Sequence, residues 1–289
     1  IPLLWLAPLT LYLLTFILAF EGGILGFNLY RVEIFWSAVL VWLAGMAWLL
    51  VDTKYQFDLW MQIGMYLSGL FVACMFCHGE LYRSRPPARH LTAFYLTISA
   101  GGAIGGLLVA VVAPLAFNGY YELGLALVAL ALLAAVRFAP VNAIARWASL
   151  AMLLAVAACA AYEGSRFQKD VLISARSFYG VIRVKEYGTP GESYHLRRLV
   201  HGVIMHGEQD MTEDGRRKPT TYYQPTSGVG AAIAARQEKG AIRVGVIGLG
   251  TGTLAAYGRK GDAFRFYDIN PQVIAIARST FTYLSDSKA

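Results

Sequence analysis

Charge is scarce in the first half of this chain. Residues 1–162 carry seven Lys or Arg and six Asp or Glu, whereas 163–289 carry eighteen and twelve. Cysteine is nearly absent, with three in 289 residues, and Cys74, Cys77 and Cys159 all lie in apolar runs. That excludes a disulfide framework and a zinc site. Cys74-Met75-Phe76-Cys77-His78 has the spacing of a covalent haem attachment site. Inside an apolar helical run, however, the backbone leaves no room to lay a porphyrin across both thiols. Neither metal nor haem is expected, and the cysteines read as small buried apolar residues. Runs of like charge are missing as well. The net charge of +7 is scattered, which argues against a nucleic-acid partner and for solvated faces with juxtamembrane charge.

Apolar residues are abundant, at 57% against 15% charged. Six runs, 3–20, 34–51, 59–78, 91–117, 120–138 and 143–162, are long enough to span a bilayer, which takes about twenty residues each. Trp5, Trp36, Trp60, Tyr120, Tyr121 and Trp147 lie towards their ends, where an aromatic belt belongs. Residues 1–162 therefore predict a polytopic helical membrane domain with the lipid bilayer as partner. Six spans place Arg31, Arg83, Arg85, Arg89, Arg137 and Arg146 on one face. Lys54 and the start of the soluble half lie on the other, so the positive-inside rule points that half outward. Gly101-Gly102-Ala103-Ile104-Gly105-Gly106 offers two overlapping small-xxx-small pairs, read as a helix-packing face rather than a transport hinge. His78-Gly79-Glu80 puts polar groups at a membrane boundary, with Arg83 or Arg85 as expected partners.

After Tyr162 the pattern becomes β-rich. Runs 171–175, 180–187 and 194–205 alternate, with turn signals at 187–191 and near Asp214-Gly215. Residues 163–239 thus predict a small antiparallel β-unit, followed by a polar loop (207–219), Tyr222-Tyr223 and a short helix over 228–238. Residues 240–289 begin a nucleoside-binding α/β domain. A β-branched strand, 244–247, enters Gly248-Leu249-Gly250-Thr251-Gly252. A helix-compatible segment, 254–257, follows, and a second strand, 264–267, ends in Asp268. The glycines permit a tight turn and close backbone approach to a ligand, while an acid about twenty residues on suits two ribose hydroxyls. The chain opens inside an apolar run and closes after two strands, so it is expected to be part of a longer protein.

The order of Ser177-Phe178-Tyr179-Gly180, Leu199-Val200-His201-Gly202-Val203-Ile204, Tyr222-Tyr223, Ile247-Gly248-Leu249-Gly250-Thr251-Gly252 and Asp268 resembles the spermidine synthase family of aminopropyltransferases. It is most similar to the bacterial subgroup that fuses such a domain to a multi-span membrane domain. Pro2-Leu3-Leu4-Trp5, His78-Gly79-Glu80-Leu81 and the 101–106 glycines share that look. The resemblance implies an inner-membrane protein with a Rossmann-like soluble domain, and its S-adenosyl donor favours the cytoplasmic side. Gly248, Gly250, Thr251 and Gly252 would line decarboxylated S-adenosylmethionine or S-adenosylmethionine itself. Asp268 would take the ribose, Gln209 the donor tail, and Tyr222 or Tyr223 would border a polyamine. Packing between the β-unit and the α/β domain is an equal role for the tyrosines.

The departures from the family bear on the amine. Thr251 and His201 stand where the family has Asp, and Met205 where it has Gln. Val246 replaces the acid that methyltransferases place before the turn. The family's catalytic acid follows a later strand, so the catalytic residue is unknown. His201, His206 and Glu208 are substitutes for that acid on paper only, and read rather as solvated-loop residues. A transporter, and a non-catalytic subunit of a homo-oligomer or larger membrane complex, remain the alternatives.

Overall fold

The computed structural model describes residues 5–21, 30–51 and 58–289. Pro2, Leu3, Leu4 and Lys54 lie outside them. The chain forms two compact units, Ile1–Val111 with Tyr121–Arg166, and Val112–Tyr120 with Phe167–Ala289.

The first unit is helical, and its elements follow the apolar runs: α1 (Leu6–Phe20), α2 (Val32–Val51), α3 (Leu59–Arg83) and α4 (Leu91–Leu107). A π-helical turn over Leu108–Val112 leads into α5 (Ala113–Ala116), which belongs to the second unit, and α6 (Glu122–Phe138) and α7 (Ala143–Phe167) complete the set. The π turn sits just before Pro114, whose ring and missing N–H disrupt regular α-helical bonding. Asp58 Oδ1 caps α3 by accepting from Met61 N at 2.9 Å, and Asn142 Oδ1 caps α7 by accepting from Ala145 N at 2.7 Å.

Four helical segments, Val32–Val51, Leu59–Arg83, Ala88–Ala116 and Ala143–Phe167, are long and apolar enough to cross a membrane. The other two runs are helical but shorter. At 15 and 17 residues, α1 and α6 reach only about 22 and 26 Å at 1.5 Å per residue, against a hydrocarbon core of about 30 Å. Large apolar side chains face outward around these helices: Val41 is 69% exposed, Leu115 84% and Leu154 71%. A helix apolar all round suits lipid rather than water. Inside, Leu43, Phe76, Ala134, Phe138 and Val156 form the shared core, with the Phe76 and Phe138 rings 5.1 Å apart. Nothing lies within 4 Å of a Cβ built on Gly101, Gly102, Gly105 or Gly106. Within the described residues, therefore, no helix packs on the face expected to hold one.

His78-Gly79-Glu80 joins three parts of this unit. His78 Nδ1 lies 3.1 Å from Thr15 Oγ1 of α1. A Cβ on Gly79 would stand 2.2 Å from the Tyr30 ring, so only glycine lets that ring lie against α3. Glu80, 5% exposed, accepts from Tyr30 OH and from Arg83 Nη1, both at 2.7 Å, and pairs with Arg137 of α6 at 3.4 Å. Arg83 is thus the partner anticipated from sequence. Arg85 instead lies over the Tyr82 ring.

In the second unit, β1 (Val171–Ser177), β2 (Gly180–Gly188), β3 (His195–His201) and β4 (Ile204–Asp210) form an antiparallel meander in that order. The run 194–205, expected as one strand, is a hairpin, and β4 occupies the first part of the expected polar loop. Gly202, at φ +62°, supplies the positive φ that a two-residue hairpin turn needs. Helix α8 (Gly228–Gln237) then precedes β5 (Arg243–Ile247) and β6 (Ala263–Tyr267), a parallel two-stranded sheet. Helices α9 (Pro271–Ser279) and α10 (Tyr283–Asp286) follow. Ile276 of α9 and Phe281 pack on Ile182, Val184 and Leu199 of the meander.

Asp262 ties the approach to β6. Its carboxylate accepts from Ile242 N at 2.9 Å, Gln237 Nε2 at 2.8 Å and Arg259 N at 3.0 Å. These donors, the Ile242 amide first, hold its pKa at about 2, below the ordinary 3.8. A depressed carboxyl contributes stability that is complete above its unfolded pKa and lost as pH falls towards the folded one. The melting temperature of this unit is therefore expected to fall between about pH 4 and pH 2. Asp262→Asn should be less stable at neutral pH and show a shallower loss across that window. Circular dichroism melts at successive pH values test this, and parallel acid limbs in the two proteins would contradict it.

Candidate functional site

The glycine turn is built by three positive φ angles, +93° at Gly248, +57° at Gly250 and +83° at Gly252. Side chains rarely adopt such values. Gly250 is also a close-approach position, since a Cβ there would stand 2.8 Å from the His206 carbonyl of β4. Backbone bonds within the second unit consume much of the turn's donor capacity. Gly248 N donates to Tyr267 O at 2.7 Å and Gly252 N to Leu249 O at 2.9 Å. Leu249 N donates to Asp268 Oδ2 at 2.9 Å. After the turn comes a five-residue 3-10 stretch, Thr253–Tyr257, rather than an α-helix. A phosphate cradle needs unspent N–H groups and an aligned helix dipole, and this turn offers little of either.

Asp268 sits at the end of β6. Its Oδ1 accepts from Asn270 N, also at 2.9 Å, so each carboxylate oxygen already holds one backbone amide. An ionised carboxylate has about four acceptor positions, which leaves capacity for two ligand hydroxyls. Asn270 Oδ1 caps α9 by accepting from Gln272 N at 3.0 Å.

A cavity of about 370 Å³ opens beside these groups, within the range of small-molecule sites. Gly248, Gly250, Asp268 and Asn270 line one side, Tyr222 and Tyr223 another, and Tyr179, Ile182, Leu199, His201 and His206 the sheet side. Five of the residues expected as ligand contacts therefore converge on one space. The two tyrosine rings lie 4.4 Å apart on a turn whose preceding Thr221 has φ +56°, a strained value for a β-branched residue. Burial, then the neighbouring Tyr222, pushes the Tyr223 phenol up to about 12, so it is a neutral group at physiological pH.

The remaining anticipated residues point elsewhere. Thr251 is buried, bonded to Thr253 Oγ1 at 2.8 Å and packed against Gly207, where a Cβ would meet Thr251 Oγ1 at 2.4 Å. A Cβ on Gly252 would face Leu284. Gln209 is fully buried. Its Nε2 donates to Arg216 O and Thr282 Oγ1, both at 2.7 Å, and its Oε1 accepts from Thr282 N at 2.8 Å. It therefore holds the segment before α10 and has no role in the cavity wall.

His201 and His206 are strand residues, not the solvated-loop residues expected from sequence. Their rings lie 5.7 Å apart. His201 Nε2 donates to Tyr179 O at 2.7 Å. Burial, then His201, holds His206 below the ordinary imidazole range, with Asp268 acting in the opposite sense. It is a neutral imidazole at pH 7, able to accept a proton. Glu208 is spent on Arg198, whose Nε donates to it at 2.7 Å. Sequence reading gave no site role to Tyr179, Asn270 or the sheet residues Ile182 and Leu199. Asn270-Pro271 carries a helix-start signature, while the others become neighbours only through strand register, Ile182 opposite His201. Among the described residues, no group of His, Cys, Asp or Glu could hold a metal ion.

No protein-family model, curated protein or solved structure matches the chain.

Proposed function

We propose that this chain is a membrane-anchored, spermidine synthase-like protein whose second unit binds an S-adenosyl nucleoside and transfers an aminopropyl or related alkyl group from it. The carrying observation is the convergence of Gly248, Gly250 and Asp268 with Tyr222 and Tyr223 on one cavity. The spent amides of the turn and the short 3-10 stretch after it favour a nucleoside without phosphates over a dinucleotide. In this reading, β5, the turn and β6 begin a Rossmann-like domain, all six helical segments cross the bilayer, and the second unit faces the cytoplasm, where S-adenosyl donors are made.

The chemistry is displacement at carbon. The lone pair of an uncharged nucleophile forms a bond to the carbon beside the sulfonium, and the carbon–sulfur bond breaks with its electrons returning to sulfur. The donor leaves as a neutral thioether. The proton lost by the nucleophile needs an acceptor, and His206 is the neutral base in the cavity wall. The site's part is to hold carbon and nucleophile in line.

The test is calorimetry on the full chain in lipid nanodiscs with S-adenosylhomocysteine, adenosine and a nicotinamide dinucleotide. Saturable binding of the thioether, with the dinucleotide weaker, is expected. Absence of thioether binding at millimolar concentration would reject the transferase reading and leave a non-catalytic membrane subunit.

A further inference from the structure

We infer that Tyr120 is a positioning residue for the cavity, holding its β1–β2 wall from behind, so that a segment emerging from an apolar helix shapes the site. The inference rests on the reading of the cavity as a nucleoside site, since the geometry of that site is what Tyr120 sets. Residues 118–120 follow Ala88–Ala116, a segment long and apolar enough to cross a membrane, yet they belong to the second unit. Two side chains of β1 fasten them there. Ser174 Oγ donates to Asn118 O and Arg176 Nη1 to Gly119 O, both at 2.7 Å. The Arg176 guanidinium also lies over the Tyr120 ring, 4.9 Å from its centre, a cation–π contact that favours this one ring orientation. Gly119 is a close-approach position, because a Cβ there would stand 2.5 Å from the Phe167 ring.

The hydroxyl end of Tyr120 reaches the turn that forms the cavity wall. Gly180 opens β2 at φ +115°. A Cβ there would stand 2.7 Å from His201 Nε2 and 3.0 Å from Tyr120 OH, so imidazole and phenol together fill the space a side chain would take. His201 in turn holds the Tyr179 carbonyl. On the cavity side, Ser177 Oγ accepts from Tyr179 N at 3.2 Å and from Asn270 Nδ2 at 3.4 Å. Tyr179, His201 and Asn270 line the cavity, and Tyr120 stands behind them and acts through them. The His201 ring lies 5.7 Å from that of His206, the proposed base. A shift of the turn is therefore felt at both imidazoles, because close-packed neighbours transmit strain to one another.

The chain has five histidines, few enough to follow one by one. The test is NMR of the full chain in lipid nanodiscs, isotope-labelled at histidine, with calorimetry against S-adenosylhomocysteine on the same samples. Tyr120→Ala is expected to move the His201 and His206 signals and to leave that of His195, which Glu186 holds at 2.9 Å at the other end of β3. The same variant is expected to bind S-adenosylhomocysteine about fivefold more weakly, the scale of one exposed cation–π contact. Tyr120→Phe keeps the ring beneath Arg176 and is expected to restore both readings. A residue that only stabilised the fold would lower the melting temperature without moving two particular signals of the native state. Unmoved His201 and His206 signals in Tyr120→Ala, moved signals with unchanged affinity, or no rescue by Tyr120→Phe would each overturn the inference. If the unaltered chain retains no S-adenosylhomocysteine, that result counts against the transferase reading, and the histidine signals and their rescue then decide the role of Tyr120 alone.

Discussion

Glu80→Ala is expected to destabilise the helical unit by about 1–3 kcal/mol, the cost of removing one partner from a buried hydrogen bond. The carboxylate is 5% exposed and is the shared acceptor for Tyr30 OH, Arg83 and Arg137. Its loss removes the acceptor of the Tyr30 hydroxyl, releases two half-exposed guanidinium groups and cuts the tie to α6. Gly79→Ala should act on the same tie from the other side, because its methyl would stand 2.2 Å from the Tyr30 ring and force that ring away. The two changes should therefore be strongly non-additive, the double variant being little worse than Glu80→Ala. Denaturant titration of the protein in mixed micelles, followed by tryptophan fluorescence, measures all three. An effect of Glu80→Ala below about 1 kcal/mol, the range of exposed pairs, would mean that the network is solvated. Simple additivity would mean that Tyr30 and Glu80 act independently.

Asp268→Ala should weaken nucleoside binding by about 1–3 kcal/mol, since ribose hydroxyls would lose their acceptor and the turn its anchor. The carboxylate joins Leu249 N of the glycine turn to Asn270 N at the start of α9, so some loss of stability is expected as well. Asp268→Asn separates the two effects. Its remaining carbonyl oxygen can keep one of the amide bonds, so stability should recover more than affinity does. Calorimetry with S-adenosylhomocysteine and parallel thermal melts of the full chain are the measurements. Unchanged affinity in Asp268→Ala, with the melting temperature lowered, would assign the acid to capping the turn alone.

The amino-acid sequence by itself determined the elements whose signals are local. Apolar run length placed six helical segments among the described residues, because a helix satisfies its own backbone and needs only the right side chains in succession. The positions of Gly248, Gly250 and Asp268 were legible for the same reason: positive φ and a strand-terminal acid leave marks within twenty residues. The tertiary structure decided everything that depends on distant pairing. Gln209 and Thr251 had plausible roles as ligand contacts until the fold buried them against Thr282 and Gly207. His201 and His206 became cavity residues only once a positive φ at Gly202 turned one expected strand into a hairpin. Arg137 and Tyr30 joined Glu80 across 57 and 50 residues of sequence, a separation at which composition and periodicity carry no information. Local chemistry specifies which conformation a segment prefers. Packing specifies which side chains share a space, and the lining of this cavity is a property of that packing.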